Sequence, residues 1–176
     1  MSAHLKYLSY VLRHKWYVYR AGRRTGAPIW RLLVHDWSKF LPSEWFPYVR
    51  YFYGDYPEAA KVGRVGSQFF PSMRFKEDVA REFDYAWNLH QKRQPHHWQF
   101  WVLTEDSGKV QPLAMPYHFV CEMVADWAGA GRAITGKWEV SNWYEKNKDR
   151  MTLATTSREQ VEELLARHFP KDDPHA

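Results

Sequence analysis

Helical periodicity, broken at intervals by glycine and proline, is the feature that most narrows what this chain can fold into. Across residues 4–20, Leu5, Leu8, Leu12 and Tyr19 recur at helical spacing, and Tyr7, Val11, His14 and Val18 form an adjacent stripe. Gly22, Gly26 and Pro28 end that segment. Pro28 suits the first turn of a second helix, which carries Ile29, Leu32, Leu33 and Asp36 and is limited by Pro42. The aromatic run "SEWFPYVRYFYGDYP" predicts a short helix with turns. Residues 59–74 predict a loop, because Gly63, Gly66 and Pro71 interrupt a stretch with little periodicity. That stretch lacks the Gly-Lys-Ser/Thr ending of a phosphate loop.

Three further helices follow. One is expected over 75–91, with Val79, Phe83, Trp87 and His90 on one face. Another is expected over 116–130, where Phe119, Met123 and Asp126 lie beside Val120, Val124 and Trp127. The last is expected from Ser157, where Gln160 completes a capping-box pattern, and it buries Val161, Leu164, Leu165 and His168 or Phe169. Residues 98–113 admit a short strand pair around Asp106-Ser107-Gly108, or a loop. The reading is a mainly α fold, a single helical domain over 1–170 with a frayed tail at 171–176.

Ten Trp and an aromatic content of 18% favour a compact core over disorder. The single cysteine, Cys121, excludes an intramolecular disulfide and a Cys-based zinc site, and fits a reducing cytosol. No run of 18 apolar residues is present, and the first twenty residues lack a signal-peptide core, so the expectation is a cytoplasmic protein with no membrane partner. The formal charge of +5 comes from basic residues scattered along the chain. Such a field attracts phosphates and other anions without selecting one. A nucleic-acid partner is possible but not favoured, since basic residues do not gather into an arm or patch.

Several metal-capable side chains interrupt apolar faces. His14 falls between Val11 and Val18, His35-Asp36 ends the run "RLLV", His90 follows Phe83 and Trp87, His96 and His97 follow Pro95, and Asp126 follows Met123. A histidine on an apolar stripe is more often a hydrogen-bonded core residue than a ligand. A carboxylate there is harder to dismiss, because a buried carboxylate needs a cation or several donors, and Asp36 and Asp126 both ask for one. Adjacent His35 and Asp36 lie about 100° apart on a helix, so both can flank one point only if it sits off the helix edge, and further ligands would come from other helices. Nitrogen and oxygen donors without thiolate suit Mn, Fe, Co, Ni, Zn or Mg. Lys39, four after His35 and three after Asp36, is placed to anchor a phosphate oxygen, against a plain solvated lysine. Arg23 and Arg24 could reach a phosphate, against an exposed basic loop. Glu122, four before Asp126, is a further carboxylate that could support the site or act as a base, its plainer reading being a surface salt bridge.

The order His…His-Asp…His…His…Asp resembles the HD-domain superfamily of metal-dependent phosphohydrolases. "HDWSKF" is similar to its His-Asp-x-x-Lys motif, and closest to a phage and bacterial branch with a His-Asp-x-Ser-Lys-Phe signature. The resemblance covers residues 14–126. It implies a helical bundle with a metal site between helices, held by His14, His35, Asp36 and Asp126. It also implies that His90 and His97, or His96 in its place, would hold a second ion bridged by Asp36. The expected cofactor is one or two divalent ions, the catalytic residues Asp36 and Lys39, and the partner a small phosphorylated substrate such as a nucleotide. Two alternatives keep their place: a di-iron oxygenase of the same superfamily, and a non-catalytic basic helical module that binds nucleic acid or protein.

Overall fold

The computed structural model of the protein describes residues 1–54 and 71–171, the side chains of 71–76 excepted. Among these residues the chain is mainly α, with seven α-helices and one two-stranded sheet. In order they are α1 (Ala3–Thr25), α2 (Ile29–Val34), α3 (Pro42–Tyr53), α4 (Pro71–Arg93), β1 (Val102–Thr104), β2 (Val110–Pro112), α5 (Tyr117–Thr135), α6 (Val140–Asn147) and α7 (Thr155–His168). Among the described residues, no helix is long and apolar enough to cross a membrane.

The chain divides into two compact units, residues 1–11 with 37–93, and residues 12–36 with 94–176. The first is built on Tyr7, Val11, Tyr48, Val49 and Ala86. Aromatic rings lock it, with Tyr7 edge-on to Trp45 at 4.8 Å and Tyr51 stacked on Phe83 at 4.1 Å. The second unit surrounds α5, whose Val120, Met123 and Val124 are fully buried with Val18 of α1, Leu32 of α2 and Val161 of α7.

Of the two stripes on α1, the one through Tyr7, Val11, His14, Val18 and Ala21 faces inward, whereas Leu5 and Leu12 are more than half exposed. Periodicity marks neighbouring faces equally well and leaves the choice to packing. The second helix is shorter than expected. It ends at Val34, and a turn at His35-Asp36 leads into a 3-10 turn, Trp37–Phe40. Helix α4, expected from 75, starts at Pro71, so residues 71–74 of the expected loop are its first turn, and 59–70 lie outside the described residues. The strand pair forms, antiparallel, with Leu103 opposite Gln111 and Gly108 in its tight turn.

The capping box does not form. α7 starts at Thr155, and Ser157 is buried inside it, where its hydroxyl accepts the Met115 N–H at 2.8 Å. That bond ties α7 to the segment entering α5. Helix α6 carries no periodic signal in the sequence, because its buried face comprises only Val140, Ser141 and Tyr144. The tail beyond 171 lies outside the described residues.

Candidate metal centre

The site within the second unit starts from a close helix crossing. A Cβ on Gly129 of α5 would sit 2.6 Å from the Val18 Cγ2 and backbone nitrogen of α1, so only glycine allows the approach. His14 lies one turn before Val18, and Asp126 one turn before Gly129. The crossing thereby brings His14 Nε2 to 3.2 Å from Asp126 Oδ1.

The third and fourth donors arrive on the turn after α2. Leu32 packs over Gly22, seating α2 against α1. The Lys15 ammonium of α1 donates to the carbonyls of Leu33 and His35, holding the end of α2. His35 has φ −49° and ψ 131°, and Asp36 has φ 55°, the pattern of a type II turn whose left-handed position usually holds glycine. Asp36 is the only non-glycine residue with positive φ among the described residues. The strained turn replaces the helix expected here, and it aims two consecutive side chains at one point.

Five contacts define that point. His14 Nε2 is 3.2 Å from Asp36 Oδ2, 3.2 Å from Asp126 Oδ1 and 3.4 Å from His35 Nε2. His35 Nε2 is 3.4 Å from Asp36 Oδ2 and 3.3 Å from Asp126 Oδ1. A point equidistant from four atoms so spaced lies about 2.0 Å from each if they form a tetrahedron, and about 2.3 Å if they are four corners of an octahedron. Those radii match bonds from divalent ions to nitrogen and oxygen, and the four side chains could hold such an ion.

Behind the cage stands Glu122, buried to 1% exposure. Its Oε1 lies 3.1 Å from His35 Nδ1 and 3.2 Å from His96 Nδ1, while Oε2 accepts from Arg31 Nε at 2.5 Å. A carboxylate at Nδ1 fixes the tautomer and leaves Nε2 with the lone pair that a ligand needs. His96 Nε2 lies 3.5 Å from Asp36 Oδ1, so Asp36 turns one oxygen toward the cage and the other toward His96. Glu122 is therefore not the surface salt bridge of the plainer sequence reading.

Charge balance points the same way. Asp36, Glu122 and Asp126 are buried close together, and the Arg31 guanidinium pairs with Glu122. A divalent cation between Asp36 and Asp126 would offset the charge of those two carboxylates. Burial alone would lower the His35 pKa, but the charge of Asp36 and hydrogen bonds to Asp126, Asp36 and Glu122 raise it well above the usual histidine range. Burial opposes ionisation of Asp126 and Glu122, yet hydrogen bonds from His14 and His35 hold Asp126 well below the carboxylate range, and those from His35 and His96 do the same for Glu122. His96 is shifted the other way, by burial and by the charge of His35.

The remaining expected residues are placed as follows. His97 is buried in the second unit with its ring 4.4 Å from that of His96. Both His96 and His97 present a ring nitrogen within 4.8 Å of an Asp36 oxygen, and these three side chains could take part in holding an ion. His90 is buried in the first unit, where its Nδ1 lies 2.8 Å from a Glu44 carboxylate that also accepts from Ser38 and Arg93. Lys39 is buried in the first unit's 3-10 turn, and the helical spacing that linked it to His35 lapses with the helix. Arg23 and Arg24 are nine and ten residues beyond His14 on α1, about 14–15 Å along the axis, and do not join the cage. Arg24 instead lies over Trp138 at 5.5 Å. Sequence reasoning missed Arg31, whose guanidinium also lies 4.2 Å over the Phe119 ring. Nothing in a lone arginine near a helix start signals a partner 91 residues away.

Residues 3–167 match the model of a family of unknown function, DUF5662. No curated protein and no solved structure matches the chain.

Proposed function

The chain belongs to DUF5662, a family of unknown function, and we propose that it is a metal-dependent phosphohydrolase of HD type acting on a small nucleotide or other phosphate ester. The observation that carries this reading is the cage of His14, His35, Asp36 and Asp126, with five donor–donor distances of 3.2–3.4 Å. A bound divalent ion supplies an acidified water and a polarised phosphoryl oxygen. The rest is the work of the chain's own side chains. Glu122 holds the Nδ1 protons of His35 and His96, so both Nε2 atoms face the reacting region. Of the four cage side chains Asp126 is the most open, 12% exposed against 2% or less for the others, and substrate approaches along it. Arg31, fixed at Nε by Glu122 and backed by Phe119, neutralises charge developing on the phosphate. His96, beside Asp36 Oδ1 and pushed below the usual histidine range by burial, would take up a proton from water where one ion is held, and would be a ligand where two are.

The test is metal content and hydrolysis measured together. Protein purified without chelator is analysed for Mn, Fe, Co, Ni, Zn and Mg, then assayed on phosphomonoesters, phosphodiesters and nucleotides beside Asp36→Ala and Asp126→Ala. The expected result is at least one equivalent of metal and a metal-dependent hydrolysis, both lost in the variants. Absence of metal uptake across the series, or hydrolysis unchanged in the variants, would overturn the reading. Iron with oxygen consumption in place of hydrolysis would replace it by di-iron chemistry.

A further inference from the structure

A second surface of the same unit is built for something other than the metal cage. On α1, Leu12 is 54% exposed and Trp16 58%; on α2, Ile29, Trp30, Leu33 and Val34 are 47–65% exposed. The Lys15 bonds to the carbonyls of Leu33 and His35 set these two helices side by side, so their outward faces adjoin. Leu12, Trp16, Tyr19 and Arg23 fall within about 60° on α1, and Arg13 and Arg20 flank them within about the next 60°. Tyr19 stacks on Trp16 with ring centroids 6.2 Å apart. Six large apolar side chains half open to water, next to one another and rimmed by arginine, exceed the scatter expected of an ordinary surface.

Charge gives the face its partner. All twenty acidic residues lie at Asp36 or beyond, while seven of the twenty-five basic ones precede it. The two helices that carry the face therefore contain no carboxylate, although the chain as a whole is close to balanced. We propose that this α1–α2 face docks on an anionic lipid surface, with Leu12, Trp16, Trp30, Leu33 and Val34 in the headgroup–acyl boundary and Arg13, Arg20 and Arg23 on the anionic headgroups. A protein that lies on a bilayer needs an amphipathic basic face and no spanning helix. A single-stranded nucleic acid would use the arginines and the two tryptophans, but stacking gains nothing from exposed Leu12, Ile29, Leu33 and Val34. The aliphatic share of the face favours lipid. This inference stands apart from the metal reading, since the cage residues are buried away from the exposed face.

The experiment is co-sedimentation of the full chain with vesicles of phosphatidylcholine alone, or with about 30% phosphatidylserine. Wild type is compared with Trp16→Glu/Leu33→Glu and with Arg13→Gln/Arg20→Gln, each checked for an unchanged circular dichroism spectrum. All four positions are exposed, so both variants retain the fold. The expected result is binding to the anionic vesicles, weakened by salt, and at least about tenfold weaker in either variant. No co-sedimentation, equal binding to neutral vesicles, or wild-type binding by the Glu variant would overturn the proposal. So would binding of a single-stranded RNA oligomer in place of vesicles, which would hand the face to nucleic acid. Metal content measured on the same samples reports separately on the cage.

Discussion

Replacing Glu122 by Gln tests whether the buried carboxylate behind the cage organises it. In the wild type Oε1 serves two imidazole N–H groups, at 3.1 and 3.2 Å, and Oε2 takes Arg31 at 2.5 Å. Glutamine keeps one acceptor oxygen. If that oxygen stays with His35 and His96, the new NH₂ faces the Arg31 N–H and two donors collide; if it turns to Arg31, the histidines lose their acceptor. Either way the imidazoles are no longer held with Nε2 toward the centre, and one buried negative charge is gone. Changes to groups behind metal ligands cost about 10- to 100-fold in affinity. Serving three donors puts Glu122 at the upper end, about 100-fold, or about 2.7 kcal/mol. The metal-free protein also loses about 1–3 kcal/mol, because buried donors go unsatisfied. For a chain of this size that lowers Tm by about 2–4 °C per kcal/mol. The assay is competition for zinc or manganese against a chromophoric chelator, with thermal melts in excess chelator. Metal affinity within twofold of wild type would refute the reasoning.

The remaining predictions address the scaffold and its protons. Gly129→Ala forces a Cβ to 2.6 Å from the Val18 side chain and backbone, and should cost about 1–3 kcal/mol and weaken metal binding, as melts and the chelator assay would show. Gly131→Ala, with nothing within 4 Å, should hold or raise stability by up to about 1 kcal/mol, as the same melts would show. Metal must displace the proton that His35 holds well above its ordinary range, so affinity should rise about tenfold per pH unit through neutrality, with proton release visible in weakly buffered titrations; a flat pH profile would contradict this. In the first unit, burial would raise the Glu44 carboxyl, but hydrogen bonds from His90 and Arg93 hold it below its ordinary value. A folded pKa below the unfolded one contributes stability that is fully present above about pH 4.5 and is lost as pH falls through the folded pKa. The stability gap between wild type and Glu44→Gln, from denaturant titrations, should accordingly shrink only below that pH.

Much of the cage was legible because buried polar groups are conspicuous on apolar stripes. His14 between Val11 and Val18, and Asp126 after Met123, stand out by position alone, and the structure brings both to one point with His35 and Asp36. How His35 and Asp36 reach it was not legible. Asp36 takes a left-handed backbone that no periodicity signals, and the helix expected through it stops at Val34. Glu122 stood out as a carboxylate four before Asp126, but its partners, and the role of Arg31, were hidden because the residues that meet are 87 and 91 apart in sequence. Choosing between two neighbouring stripes on α1 needed the packed core, and the Gly129 crossing needed the helix it crosses. Helix α6 has too short a buried face to show a period.

The most direct test of the account is an anomalous-scattering measurement on crystals grown with manganese or zinc. The account predicts a peak about 2.0–2.3 Å from His14 Nε2, His35 Nε2, Asp36 Oδ2 and Asp126 Oδ1, absent in Asp126→Ala. Metal bound elsewhere on the chain, with this cage empty at saturating concentration, would contradict it.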